Sequence, residues 1–246
     1  MSPSTFLFTI AFLVSTTLPV MAQDKAPEPN GVTPQSLMQI NLDTIATIEE
    51  TRWRNQAYRD LAISMAFADS VDGGINLIEK IDNPDTQAMT IRAIGMAKAI
   101  HQDLTKEEYQ SLFSKLSAAA ELIEDEGARD IAYTYIAMAQ AFAGLDEDAT
   151  ITTQGMTNDA LRYKAYGETA EIQAERGDYN SALQSINAIN SVAFKNKALG
   201  LVSERMIKHK NMDKAFEFAQ MITNPTKKVE AIQKIIDVQI GLDQPK

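Results

Sequence analysis

His101 and His209 are the chain's two histidines, and there is no cysteine. They are therefore the first residues to test for metal ligation or for activating a nucleophile. They fall at equivalent positions of a repeat, three units apart, and so cannot share one metal ion. Each sits near a helix end, where a cation is favourable in its own right. Two acidic runs, Glu124-Asp125-Glu126 and Asp146-Glu147-Asp148, invite a cation-binding reading. Neither has the Asp-x-Asp-x-Asp-Gly spacing with a distal Glu that a calcium loop needs. There is no His-Glu-x-x-His, no Gly-x-Ser-x-Gly and no phosphate-cradling glycine loop. The sequence thus predicts a non-enzymatic chain with no cofactor and no metal.

The dominant pattern is repetition. Helix-opening residues recur at Ala57, Thr90, Ala132, Ala165, Ala198 and Ala231, with separations of 33, 42, 33, 33 and 33. Five residues later comes a mostly small position: Ala62, Gly95, Ala137, Ala170, Ser203 and Ile236. A second register, Ile48, Ile81, Ile123, Met156, Ile189 and Ile222, shows the same separations. Two registers sharing one 9-residue insertion mark a structural repeat. Each unit reads as two antiparallel helices, A then B, with Gly74, Ala149, Ala182 and Ala215 early in B. Breakers at Gly144, Gly177-Asp178, Asn83-Pro84 and Asn224-Pro225 separate them. A hairpin of this kind cannot bury its own apolar faces, so neighbours must cover them. The expected fold is all-α: an αα-hairpin solenoid, or superhelix, of about six 33-residue repeats. Six A and six B helices are expected, beginning with a B-type helix over residues 34–49, where Thr33 can cap and Pro34 fits the first turn.

At Gly177-Asp178-Tyr179-Asn180-Ser181-Ala182-Leu183 the sequence resembles the tetratricopeptide repeat. Gly177, Asp178, Tyr179 and Ala182 match that family's turn, and Tyr166, Thr169 and Ala170 take its aromatic, leucine and small positions. The match is good over residues 163–189 and degenerate elsewhere. The period is 33, Ile189 stands where alanine is usual, and the end-of-unit proline survives only as Pro84 and Pro225. The resemblance implies a peptide- or protein-binding scaffold whose concave face is lined by the A helices. Carried over by register, its early exposed positions are Arg59, Arg92, Thr134, Gly167, Gly200 and Gln233. One turn later come Ile63, Met96, Met138, Glu171, Glu204 and Asp237. Arginine forks grip carboxylates and methionine adapts to varied apolar side chains. In the second half, Lys164 and Lys197 are expected to pair with Glu171, Glu204 and Asp237.

Three local departures carry further expectations. The insertion lies between positions 90 and 123, and Thr105-Lys106-Glu107-Glu108 reads as a capping box opening a helix about two turns longer than its counterparts. Residues 146–156 are rich in threonine, which is stiff at the β-carbon, and predict a short, mobile helix. Trp53, the single tryptophan, is equivalent to Leu161 and Phe194 and is expected to wedge between adjacent hairpins.

The chain's start bears on its compartment. Residues 6–14 form an apolar run, and Val20-Met21-Ala22 supplies small residues before a polar stretch. This is the layout of a secretory signal peptide (residues 1–22), although no Lys or Arg precedes the run. A flexible leader (23–32), the repeat domain (33–242) and a short tail (243–246) follow. An exported chain, periplasmic or secreted, is expected. The formal net charge is −10. Residues 23–194 hold 13 basic and 27 acidic side chains, whereas residues 195–246 hold 10 and 6. An acidic body disfavours nucleic acid and anionic lipid, so a membrane is reached only through a partner. The expected function is an exported scaffold or adaptor holding a protein or peptide segment. The alternative is a structural subunit of a bacterial envelope assembly, self-associating through its acidic body and basic C-terminal end.

Overall fold

The computed structural model describes residues 32–242, and the expected signal peptide and most of the leader lie outside that range. Among the described residues there are twelve α-helices and no strands. In chain order they are α1 (Pro34–Ile45), α2 (Thr51–Phe67), α3 (Val71–Asn76, followed by a 3-10 turn at Ile78–Lys80), α4 (Pro84–His101), α5 (Lys106–Glu121) and α6 (Glu126–Phe142). There follow α7 (Asp146–Gln154), α8 (Asp159–Glu175), α9 (Tyr179–Asn187), α10 (Val192–Lys208), α11 (Met212–Met221) and α12 (Pro225–Gln239). None is long and apolar enough to cross a membrane.

The even-numbered helices, 15–18 residues long, are the A helices; each from α2 to α10 packs on the B helix after it and on the next A helix. The small positions explain that closeness. Ala62, Ala137 and Ala170 are fully buried, as are Ala149, Ala182 and Ala215 on the facing B helices. A methyl group there lets backbones approach while still excluding water. Ile81, Ile123, Met156, Ile189 and Ile222 are almost completely buried at the corners that follow each B helix. Burying such a side chain contributes roughly 1.5–3 kcal/mol.

The turn from A to B has one geometry repeated along the chain. Asp69, Gln102, Gly144, Gly177 and Lys210 all have positive φ, between 49° and 83°, and they are equivalent by register. At four of these turns the next residue's N–H bonds to the carbonyl five residues back: Ser70 to Met65, Leu145 to Gln140, Asp178 to Gln173 and Asn211 to Met206, at 2.8–2.9 Å. This is the Schellman closure, which satisfies carbonyls left free at a helix end. Glycine suits it in two repeats; Asp69 and Lys210 adopt it against the penalty that a β-carbon imposes.

The corner from B to the next A helix is tied differently. Asn55, Asp130 and Asn196 are buried in α2, α6 and α10. Each accepts a backbone N–H from a corner one hairpin later: Asp82 at 3.1 Å, Asn158 at 2.7 Å and Thr223 at 2.8 Å. From the first turn of three A helices, Arg54, Gln87 and Arg162 reach back to the carbonyls of Ile48, Ile81 and Met156. Asn83, Asp125, Asn158 and Asn224 then cap α4, α6, α8 and α12 through their side chains.

The insertion resolves into two parts. α5 begins four residues after the left-handed Gln102, whereas α7, α9 and α11 begin two residues after theirs. At 16 residues, α5 is seven longer than α7 or α9. Its start is the expected capping box, closed by Thr105 and Glu108. α7 is as long as α9 despite its threonines; Thr150 and Thr153 turn their hydroxyls onto the carbonyls of Asp146 and Ala149. α1 is shorter than its expected span, ending at Ile45.

The placement expected for Trp53 is overturned: it is 60% exposed, with the Arg52 guanidinium 5.4 Å from its ring. Its equivalent Phe194 rests on Tyr163 of the preceding A helix, ring centres 5.9 Å apart. Only α1, a B helix, precedes α2 among the described residues, so Trp53 has no such surface.

Two substitutions test this account. Lys210→Gly removes the β-carbon penalty at a left-handed turn and should raise unfolding stability by about 1 kcal/mol in urea titrations. Asp130→Ala removes a buried carboxylate that holds both the Asn158 N–H and the Thr157 hydroxyl, and should cost about 2 kcal/mol in the same assay.

Candidate partner-binding surface on the A helices

The residues assigned by register lie on α2, α4, α6, α8 and α10, the successive members of the A-helix row. In the first half, Arg59, Ile63, Arg92, Met96 and Met138 are each half-buried. Met96 packs on the cluster containing Ile91 and Ile136, and Met138 on the one containing Ala141 and Ile172. Their exposed parts border Phe67 and Ile100, which are 57% and 56% exposed. Phe67 and Ile100 stand one helical turn beyond Ile63 and Met96. In later repeats the same two rows read Glu171 with Glu175, then Glu204 with Lys208. The surface therefore changes from apolar to charged midway along the row. The i+4 spacing carried that signal, but the sequence reading stopped one turn short of it.

Both arginines lack an ion-pair partner among the described residues. Arg92 lies over the Tyr135 ring of α6, 5.0 Å from its centre. Arg59 has a buried Nε with no hydrogen-bond partner. Thr134, expected to be exposed beside them, is buried, and its hydroxyl donates to the Asp130 carbonyl at 3.1 Å. The close packing of α4 on α6 leaves no opening at that position.

In the second half, Lys164, Glu171, Lys197 and Glu204 do come together around two depressions. A cavity of about 110 Å³ between α8 and α10 is lined by Tyr163, Lys164, Glu168, Glu171, Phe194 and Lys197, among others. A larger one, about 380 Å³, lies between α10 and α12 and includes Lys197, Gly200, Glu204, Lys227 and Lys234. Lys197 borders both.

The pairing expected there does not form. Glu171 is held by Arg205, whose Nε donates at 2.6 Å. Glu204 is held by Lys234 of α12, and Asp237 accepts from Gln233 at 2.7 Å. Lys164 lies 3.7 Å from Glu168, within its own helix. Partners one helix along, or one turn along, are nearer than those the register proposed. Lys197 is left without an ion pair among the described residues.

Glu168, which the sequence reading did not single out, is the most perturbed carboxyl of this surface. Its Oε2 is buried without a hydrogen-bond partner. Burial pushes its pKa up, Lys164 and Arg92 oppose that, and neighbouring Glu171 adds to it. Gly200 is the other residue with a message. It sits inside α10, where glycine costs about 1 kcal/mol relative to alanine, yet a β-carbon there would meet nothing within 4 Å. The surrounding protein thus gives no packing reason for its absence.

At the margin of this surface, His209 Nε2 lies 3.1 Å from Glu175, and the His101 and Phe67 rings meet edge to face, centres 5.8 Å apart. No group of three or more potential metal ligands occurs among the described residues. No protein-family model and no curated protein matches the sequence.

A carboxyl whose folded pKa is raised holds its proton more tightly in the folded chain. It favours folding below its ordinary range, and that contribution is lost as pH rises through the raised value. Glu168→Gln should therefore melt at a higher temperature than the parent at about pH 7, with the gap closing near pH 4, where the parent carboxyl is itself protonated. Circular dichroism melts across pH measure this; a gap independent of pH would discount the buried charge.

Proposed function

We propose that this chain is a non-enzymatic scaffold of the tetratricopeptide-like class, its helices forming an αα-solenoid of about six repeats. In that reading the A helices line a concave groove that holds a protein or peptide segment. The observation that supports it best is Gly200. A helical glycine that no neighbour requires, lining the larger cavity, leaves room for something outside the chain to approach the backbone. Lys197 at the same place, and Arg59 and Arg92 beside an apolar strip, have no ion-pair partner among the described residues and supply charge and contact area for such a segment. The start of the sequence supports an exported, periplasmic or secreted location, with a membrane reached only through a partner.

The test separates binding from folding. Gly200→Leu adds bulk to the cavity lining and, by helix propensity, should leave stability equal or raised. Arg92→Glu with Met96→Asp alters the other half of the surface. Cross-linking of the tagged chain in its native compartment, followed by mass spectrometry, should give a defined partner for the parent. Both variants should lose it by tenfold or more while retaining helical circular dichroism. An unchanged set of cross-links in both variants removes the groove assignment.

A further inference from the structure

Inside the row, each A helix carries a face that the B helix after it covers. Ala62, Gly95, Ala137, Ala170 and Ser203 mark it and are all buried; so are Ala66, Ala99, Ala141, Ala174 and Ile207 one turn later. On α12 the equivalent residues are Ile236 and Ile240, 41% and 64% exposed, and Val229 on the preceding turns is 65% exposed. The matching face of the B helices is open on α1. Leu37 is 53% exposed where two of its equivalents, Leu112 and Leu145, are buried, and Ile40 is 62% exposed at a position the later B helices fill with Gly73, Lys115, Asp148, Ser181 and Lys214. Asn41 is exposed where Gly74, Ala149, Ala182 and Ala215 are covered by an A helix. Repeat arrays ordinarily finish on polar faces, and large apolar side chains left open mark a contact site.

These two open faces are the two halves of one interface, since A and B faces of this kind meet within every hairpin. Their charges also match. Residues 33–50 carry Asp43, Glu49 and Glu50 and no Lys or Arg, whereas residues 195–242 carry nine Lys or Arg against five Asp or Glu. We infer that a second copy of this chain docks here, the α1 end of one copy on α12 of the next, in a head-to-tail contact. The contact is wider than within a hairpin, because Ile236 and Asn41 replace the small residues that bring backbones close. Leu37, Ile40, Ile236 and Ile240 fill that width, and the long-range charge difference orients the approach. Being heterologous, the contact leaves a free head and a free tail on every open assembly.

The experiment uses the full chain and sedimentation velocity. Leu37→Glu with Ile40→Glu blocks the head; Ile236→Glu with Ile240→Glu blocks the tail. The parent should show species larger than one chain that grow with protein concentration and shrink as salt rises from about 50 to about 500 mM. Each blocked chain should sediment as a monomer. An equimolar mixture of the two should give two-chain particles, since one free head and one free tail remain. A parent that is monomeric throughout, or a mixture that remains monomeric, overturns the inference. So does association that survives both blocks. Should either blocked chain lose helical circular dichroism, Glu49→Lys with Glu50→Lys replaces it; both sites are exposed, and association should weaken at low salt, with no change overturning the inference.

Discussion

The close approach of neighbouring helices over small side chains is the constraint on which everything else here depends. Ala62, Ala137, Ala170 and the alanines facing them on the B helices remove bulk where backbones must cross. With that spacing set, the isoleucines and methionine at the corners are sealed from water, and each hairpin becomes a wall of its neighbour's core. Packing is then carried by contacts between successive helices of the row. No cysteine contributes a covalent tie. The polar ties, such as Asn55, Asp130 and Asn196 on the corner amides, act over the same one-hairpin range.

That local character explains what could be read from the sequence. Helix number, order and corners followed from two registers with a shared insertion, because each marks a residue that must be small or must be apolar. Side-chain partnerships did not follow. Lys164 and Glu171 share a surface, yet each finds a closer partner: Glu168 on the same helix, Arg205 on the next. Register specifies which face a residue occupies but not which of several opposite charges lies within reach. Trp53 failed for a related reason. Its equivalents have an A helix behind them and it does not, so a position's environment differs at the start of the row. The left-handed turns were only half visible, through Gly144 and Gly177, because Asp69, Gln102 and Lys210 take the same backbone shape without the residue that advertises it.

The exposed face of the row is less uniform than its core. Apolar and arginine-bearing in α2 and α4, it becomes charged and laced with ion pairs from α8 onward. Such pairs at a surface contribute little to stability individually. They do fix the charges of α8, α10 and α12 on one another, whereas Arg59, Arg92 and Lys197 have no ion-pair partner among the described residues. Glu168, half-buried among Lys164, Glu171 and the more distant Arg92, makes this stretch of surface responsive to acidity in a way that the exposed pairs are not.

The seven additional residues of α5 are close to two full periods of an α-helix, at 3.6 residues each. An addition of whole periods leaves the azimuth of every later side chain nearly as it was. Three or four residues would have turned it by only about 40–60°, whereas two or five would have swung the buried stripe by about 140–160° from its seat, at about 100° per residue. Growth of such a helix is thereby quantised. Downstream of α5, α6 still packs on α4 and α8, because the extension came in a permitted increment.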